Sequence, residues 1–164
     1  MGQNVYISKE FIRRAIENIE HSKEFINVMM FEWVWYSGQR AGTIQDVNRA
    51  VCRASQRGVK VRVVLSNEAK GRHLGKLNRA TMGRLQRNGC EVRLQPMQRM
   101  VHAKVWIFDG TLAMLGSHNM SQRAVTSNIE VGCEVNGGAD LAKLMGLFEE
   151  LWTVGIGHPL DRAE

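Results

Sequence analysis

The sequence predicts an α/β fold, a mixed β-sheet flanked by helices on both faces. Three observations point there. Segments with apolar residues at helical spacing alternate with short apolar runs rich in β-branched residues. Those runs are near-continuous, as in strands buried on both sides. An Asp109-Gly110 pair between two of them signals a hairpin, and so antiparallel pairing in the same sheet. With 164 residues, the chain suits one domain, placed at residues 1–155, with 156–164 as a loose C-terminal tail.

The elements follow in order. Phe11, Ile12, Ala15, Ile16 and Ile19 make one helical face, with Ser8 as N-cap. Phe25 to Trp33 reads as a buried strand, and Ser37-Gly38 and Ala41-Gly42 bracket a loop. Thr43 to Asp46 resembles a capping box, and its helix runs to Gln56 and stops at Gly58. Val59–Leu65 is a strand. A basic loop, Ser66 to Gly75, leads to a helix over Leu77–Arg87, then a strand at Glu91–Leu94. The hairpin joins Ala103–Phe108 to Leu112–Leu115. Asn128–Val135 is a further strand. Leu141, Leu144, Met145, Phe148, Leu151 and Trp152 line the last helix.

Charge is unevenly spread. Residues 40–104 hold 15 Lys/Arg against 3 Asp/Glu, while the whole chain is only +6. A basic block of this kind suits an anionic partner, with nucleic acid foremost. Cys52, Cys90 and Cys133 form no CxxC pair, so they read as buried thiols rather than a zinc site or disulfide framework. The N-terminus lacks a signal-peptide pattern, and Tyr6 breaks the myristoylation pattern. The longest apolar run, Phe25 to Tyr36, is interrupted by Asn27 and Glu32 and is too short to span a bilayer. These features predict a soluble, cytoplasmic chain without stable membrane insertion.

The most informative stretch is residues 102–119, HAKVWIFDGTLAMLGSHN. His102 and Lys104 stand two apart in a strand, so they share a face. The turn at Asp109-Gly110 brings Gly116, Ser117 and Asn119 back toward them. A neutral imidazole can attack phosphorus, and a second can protonate the leaving oxygen. Lys104 can offset charge on a pentacoordinate phosphorane, with Ser117 and Asn119 as hydrogen-bond donors. Gly116 permits close backbone approach. Glu130, in Asn128-Ile129-Glu130, is the candidate carboxylate for the other ring nitrogen of the histidine. Asp109 reads as a turn residue. Each residue alone has a structural explanation; the conjunction points to phosphodiester chemistry that needs no metal and no cofactor.

The segment resembles the HKD motif of the phospholipase D superfamily, H-x-K-x4-D-x6-G-S-x-N. His102, Lys104, Asp109, Gly116, Ser117 and Asn119 match it without a gap, and Asn128 and Glu130 look like its N-x-E continuation. The resemblance implies an α/β/α sandwich and a phosphohistidine intermediate. It also implies His102, Lys104, Ser117, Asn119 and Glu130 as active-site residues, with Asp109, Gly116 and Asn128 structural. That mechanism needs two motifs, and the chain has one; neither His118 nor His73 makes a second copy. Single-motif members of the family, chiefly nucleases, meet this by homodimerisation. The resemblance therefore implies a metal-independent nuclease acting on DNA or RNA across a homodimer. The alternatives are a phospholipase or cardiolipin-type lipid phosphodiesterase, and a nucleic-acid binding module that does not cut.

Substrate contacts are expected from two groups. Trp33, Trp35 and Tyr36 could either pack in the core or stack on unpaired bases, and Arg40, Lys70, Arg72, Lys76 and Arg99 could follow a phosphate backbone. Met97, Met100, Met114 and Met120 read as core or interface filler.

Overall fold

The computed structural model describes residues 4–36, 43–68 and 73–157. In chain order the elements are β1 (Val5–Ile7), α1 (Lys9–His21), β2 (Phe25–Met30), α2 (Thr43–Gln56), β3 (Lys60–Leu65) and α3 (His73–Arg87). Then come β4 (Glu91–Leu94), β5 (Lys104–Phe108), β6 (Leu112–Gly116), α4 (Gln122–Thr126), β7 (Val131–Asn136) and α5 (Gly138–Val154). The strands form one seven-stranded sheet in the order β1-β7-β6-β5-β2-β3-β4. β2, β3 and β4 are parallel; every other neighbouring pair is antiparallel.

Strand alternation divides the core into two layers. Ile26, Val28, Val61, Val63, Trp106 and Met114 face helices α1 to α4, meeting Phe11, Ile12, Val47, Val51, Leu85 and Val125. Met29, Val64, Val105, Ile107 and Ala113 face α5 and meet Leu141, Phe148 and Leu151. The fold is the expected mixed sheet between helical layers.

Local signals explain most boundaries. Gly58 ends α2's run at φ +92°, where other residues are strained. The hairpin turns through Asp109 (φ +50°) and Gly110 (φ +63°). Cys52 and Cys90 are buried free thiols, and burial, reinforced by neighbouring Cys52, pushes the Cys90 thiol up to about 12.

Several expectations shift. β2 ends at Met30, because Phe31 turns out and Trp33 makes only an isolated bridge with Met120. β7 begins at Val131, not Asn128. α3 begins at His73, four residues ahead of Leu77. Ser8 precedes α1 but its side chain does not cap it; the hydroxyl faces the Asn128 carbonyl and the Glu130 amide instead. Strand β1 and helix α4 were not foreseen. Ile156, expected to start a loose tail, is bonded both ways to Leu94, at 2.9 and 2.8 Å. The loop at Ser37-Gly38 and Ala41-Gly42 lies outside the described residues.

Candidate active site

The sheet topology gathers the motif at one end. Met30 pairs with Lys104 on one side and with Leu65 on the other, so the C-terminal ends of β2 and β3 lie level with the start of β5. Gly116 pairs with Gly132, placing the end of β6 against the start of β7. His102, Lys104, Ser117, Asn119, Asn128 and Glu130 therefore share one rim, where the parallel strands open.

Gly116 sets the closest approach. A Cβ there would lie 2.6 Å from the Val131 carbonyl oxygen and 2.8 Å from Gly132 Cα, both backbone atoms. Only glycine lets β6 and β7 close here, and the closure carries Ser117 to Glu130. The Ser117 amide donates to the Val131 carbonyl at 3.0 Å, and the Val131 amide donates to Ser117 Oγ at 3.1 Å.

His102 is exposed, and its ring packs at 59° against Phe31, 4.5 Å between centroids. Lys104 is buried. Its Nζ donates to the His102 carbonyl at 2.9 Å, stands 3.4 Å from each His102 ring nitrogen, and lies 5.0 Å from the Phe31 ring centre. Burial pushes the Lys104 ammonium below the usual lysine range, opposed by Glu130 and Glu32. Among the described residues no carboxylate forms a salt bridge with it. A buried cation without an ion pair costs stability, and such groups concentrate where function needs them.

Glu130 differs from expectation. Its oxygens accept from the Ser117 hydroxyl and from Asn128 Nδ2, the latter at 2.9 Å, rather than from the His102 ring. The one Ser117 proton is thus committed to Glu130, so Ser117 here holds the carboxylate rather than offering a donor to substrate. The Asn119 amide makes no hydrogen bond among the described residues, and its Oδ1 is buried.

Asp109 sits at the opposite end of β5 from His102. Its carboxylate accepts the backbone amides of Lys23, Glu24 and Phe25 at 3.0, 2.9 and 2.9 Å. It fastens the hairpin tip to the start of β2 and touches nothing at the rim.

His118, between Ser117 and Asn119, is sealed inside. It stacks on Phe11 with centroids 4.2 Å apart and Nε2 3.0 Å from the Ser8 carbonyl oxygen. Burial holds its pKa below the ordinary histidine value, against the Ser8 hydrogen bond and Glu130.

The three aromatics expected to stack on bases differ in exposure. Trp33 is fully buried, donating from Nε1 to Asn48 Oδ1 at 2.8 Å. Trp35 packs partly against the core. Tyr36 is 37% exposed, and its hydroxyl accepts the Gln122 amide at 2.9 Å. Lys76 is exposed; Arg99 is also exposed but pairs with Glu150 at 2.6 Å. Arg40, Lys70 and Arg72 lie outside the described residues.

Two contributors escaped sequence reasoning. Phe31 walls both His102 and Lys104. Asn78, fully buried on α3, fixes that wall: its Nδ2 donates to the Phe31 and Ser66 carbonyls at 2.8 Å each, and its Oδ1 accepts the Trp33 amide at 3.0 Å. Both depend on strand register, which no local pattern announces.

A family model described as "Cardiolipin synthase, PLD-like domain" matches residues 15–152. The chain belongs to the phospholipase D-like family. Its phospholipase D-like fold is shared with Nuc, a phospholipase D family member from Salmonella typhimurium. That match has a TM-score of 0.77 at 19% identity, covering 96% of this chain and 99% of the other. NucT from Helicobacter pylori gives 0.75 at 19% identity, covering 96% and 99%. Among curated relatives, the phospholipase D-like chain is 33% identical over 116 residues to the 5'-3' exonuclease PLD3 of Bos taurus, covering 68% of this chain and 23% of that one. It is 29% identical over 161 residues to the virion nicking-joining enzyme of vaccinia virus (strain Western Reserve), covering 94% and 35%. The chain thus spans about a quarter to a third of the length of these relatives. Among the described residues, no helix is long and apolar enough to cross a membrane.

Proposed function

We propose that the chain is a phosphodiesterase that cleaves DNA or RNA through a phosphohistidine, without a metal, at a site completed by a second copy. The observation that carries this is the exposed His102 imidazole beside the buried, unpaired Lys104 cation. One supplies a nucleophile and the other a fixed charge for a phosphate. The exonuclease and nicking-joining relatives support a nucleic-acid substrate.

A His102 ring nitrogen attacks phosphorus, forming a P–N bond while the P–O bond to the leaving group breaks. The leaving oxygen takes its proton from His102 of the second copy. That imidazole, now neutral, removes a proton from water as water attacks phosphorus and the P–N bond breaks. Lys104 and the Asn119 amide stabilise the charge on the non-bridging oxygens. Glu130 acts by favouring the charged Lys104 and by holding Ser117.

The need for a second copy is local. The other imidazole of the motif segment, His118, is locked between Phe11 and Ser8 and cannot reach substrate. Exposed Val5, Ile7, Ile129 and Val131 form an apolar edge flanking Glu130, suited to self-association.

The test is a panel of labelled DNA, RNA and phospholipid with excess chelator, run beside His102→Ala. Cleavage of nucleic acid, lost on the order of 10⁴-fold in the variant, is expected. Retained activity in His102→Ala, lipid as the preferred substrate, or an active monomer by light scattering would each refute part of the proposal.

A further inference from the structure

Helix α3 presents two different faces. Inward, Asn78 holds the Phe31 carbonyl and the Trp33 amide, and the Thr81 hydroxyl donates to the Trp33 carbonyl at 2.5 Å. Phe31 lies directly against His102 and Lys104, so this helix is in fixed register with the reacting centre. Outward, Lys76, Arg84 and Arg87 are all exposed. At about 100° per residue they fall within an arc of about 80°.

That row is not neutralised. α3 contains no Asp or Glu, and among the described residues no carboxylate pairs with these three cations. Many arginines elsewhere are paired: Arg14, Arg49, Arg53, Arg57, Arg62 and Arg99 each meet a carboxylate. Arg84 and Arg87 stand three apart in the last turn of α3, where the helix dipole favours cations and offsets their mutual repulsion of a few tenths of a kcal/mol, while Lys76 in the first turn has no such support. α3 also carries no Phe, Tyr or Trp. Proteins that grip single strands rely on such rings to stack unpaired bases. A straight row of cations without rings suits a backbone whose bases are paired. From Lys76 to Arg87 the helix rises about 16 Å, or roughly five steps of about 3.4 Å along one strand of a duplex.

We propose that the outward face of α3, through Lys76, Arg84 and Arg87, binds the phosphate backbone of the double-stranded part of the substrate beside the scissile phosphate. This rests on the nuclease reading above and adds the form of nucleic acid that reading leaves open.

The experiment compares full chains in a His102→Ala background, which binds without cutting. One carries Lys76→Gln, Arg84→Gln and Arg87→Gln; another carries Lys76→Arg, Arg84→Lys and Arg87→Lys. Binding to a labelled 30-base-pair duplex and to a single strand of the same length is measured from about 50 to 200 mM salt. Each lost phosphate contact lowers the slope of log K against log salt by about 0.9, so the glutamine variant should lose up to about 2.7 on duplex. At about 0.1 M salt that corresponds to a loss of up to about 500-fold. The charge-conserving variant should keep the parent slope, and single-strand binding should fall far less. Equal slopes for parent and glutamine variant, equal losses on single strand and duplex, or a parent that does not bind duplex would each overturn the proposal. The nuclease reading fails by a different result: wild-type chain that turns over neither bis(4-nitrophenyl) phosphate nor nucleic acid with chelator present. The slopes remain decisive in that case.

Discussion

Replacing Gly116 by alanine tests the geometry of the site most directly. The added methyl carbon would stand 2.6 Å from the Val131 carbonyl oxygen and 2.8 Å from Gly132 Cα. Ordinary contact is about 3.5 Å, so β6 and β7 must part by about 0.7–0.9 Å. Neither neighbour is a side chain that can swing aside. Overpacking of this kind costs about 1–3 kcal/mol. In a domain of this size each kcal/mol shifts Tm by about 2–4 °C, so a fall of about 2–12 °C is expected. The larger effect is on chemistry. The displaced atoms carry Ser117 on one strand and the Asn128–Glu130 segment on the other. A misplacement near 1 Å costs about 10²-fold in rate. The assay is kcat on a labelled oligonucleotide well below the variant's Tm, with circular dichroism confirming the fold. A variant that keeps kcat within about threefold while losing Tm as expected would show that the β6–β7 closure does not set the catalytic geometry.

Four other outcomes follow from the same structure. Asp109→Ala removes an acceptor for three backbone amides and should cost about 2–4 kcal/mol, while kcat of the folded fraction at low temperature stays near wild type; a proportionate loss of kcat would give Asp109 a role at the rim. Asn78→Ala leaves the Trp33 amide and two carbonyls unpaired in the core and should cost about 2–4 kcal/mol by denaturant unfolding; a cost below about 1 would mean water replaces the amide. Lys104→Met deletes a buried cation without an ion pair, so the variant should unfold at higher temperature while losing activity; a drop in Tm would count against that account. For His118, burial lowers the folded pKa, so the unfolded chain binds the proton first as pH falls. Stability is then lost as pH drops below the ordinary histidine value of about 6.5, down toward the lowered folded one. Tm measured from pH 7 to 5 should fall more steeply for wild type than for His118→Gln, and parallel curves would contradict the assigned shift.

Legibility from sequence divided along a physical line. Features set by local periodicity were readable: the apolar face of α1, the run of α2 to Gln56, β4 at Glu91–Leu94, and the Asp109-Gly110 turn. Features set by pairing partners were not. β1 has three residues and no stripe of its own; it exists because β7 offers an edge. Phe31 and Asn78 matter through the Met30–Lys104 register, which is a property of two distant segments. Trp33, at the junction of an apolar run and a loop, could by sequence pack in the core or stack on a base; Asn48 and Trp106 enclose it in the core. Glu130 was placed correctly at the rim but with the wrong partner, since spacing gives proximity and not which of several donors a carboxylate takes.

The motif's spacing itself is explained by the hairpin. His102 and Lys104 stand at the start of β5, four residues carry the strand to Asp109, and six more bring β6 back to Gly116 opposite Gly132. The intervals measure one strand out and one strand back. The residues of the proposed chemistry therefore occupy only the two ends of the pattern, while the middle residue, Asp109, works a full strand away by pinning the tip to the start of β2. That anchoring matters because β5 also pairs with β2 through Met30 and Lys104. A slip of one residue in this pairing would turn Lys104 to the other face of the sheet. Held at both ends, the strand has one register, and Lys104 stays under His102. The aspartate thus serves the rim by fixing the strand that carries it, which is why a residue so distant stands at a set interval from His102 and Lys104.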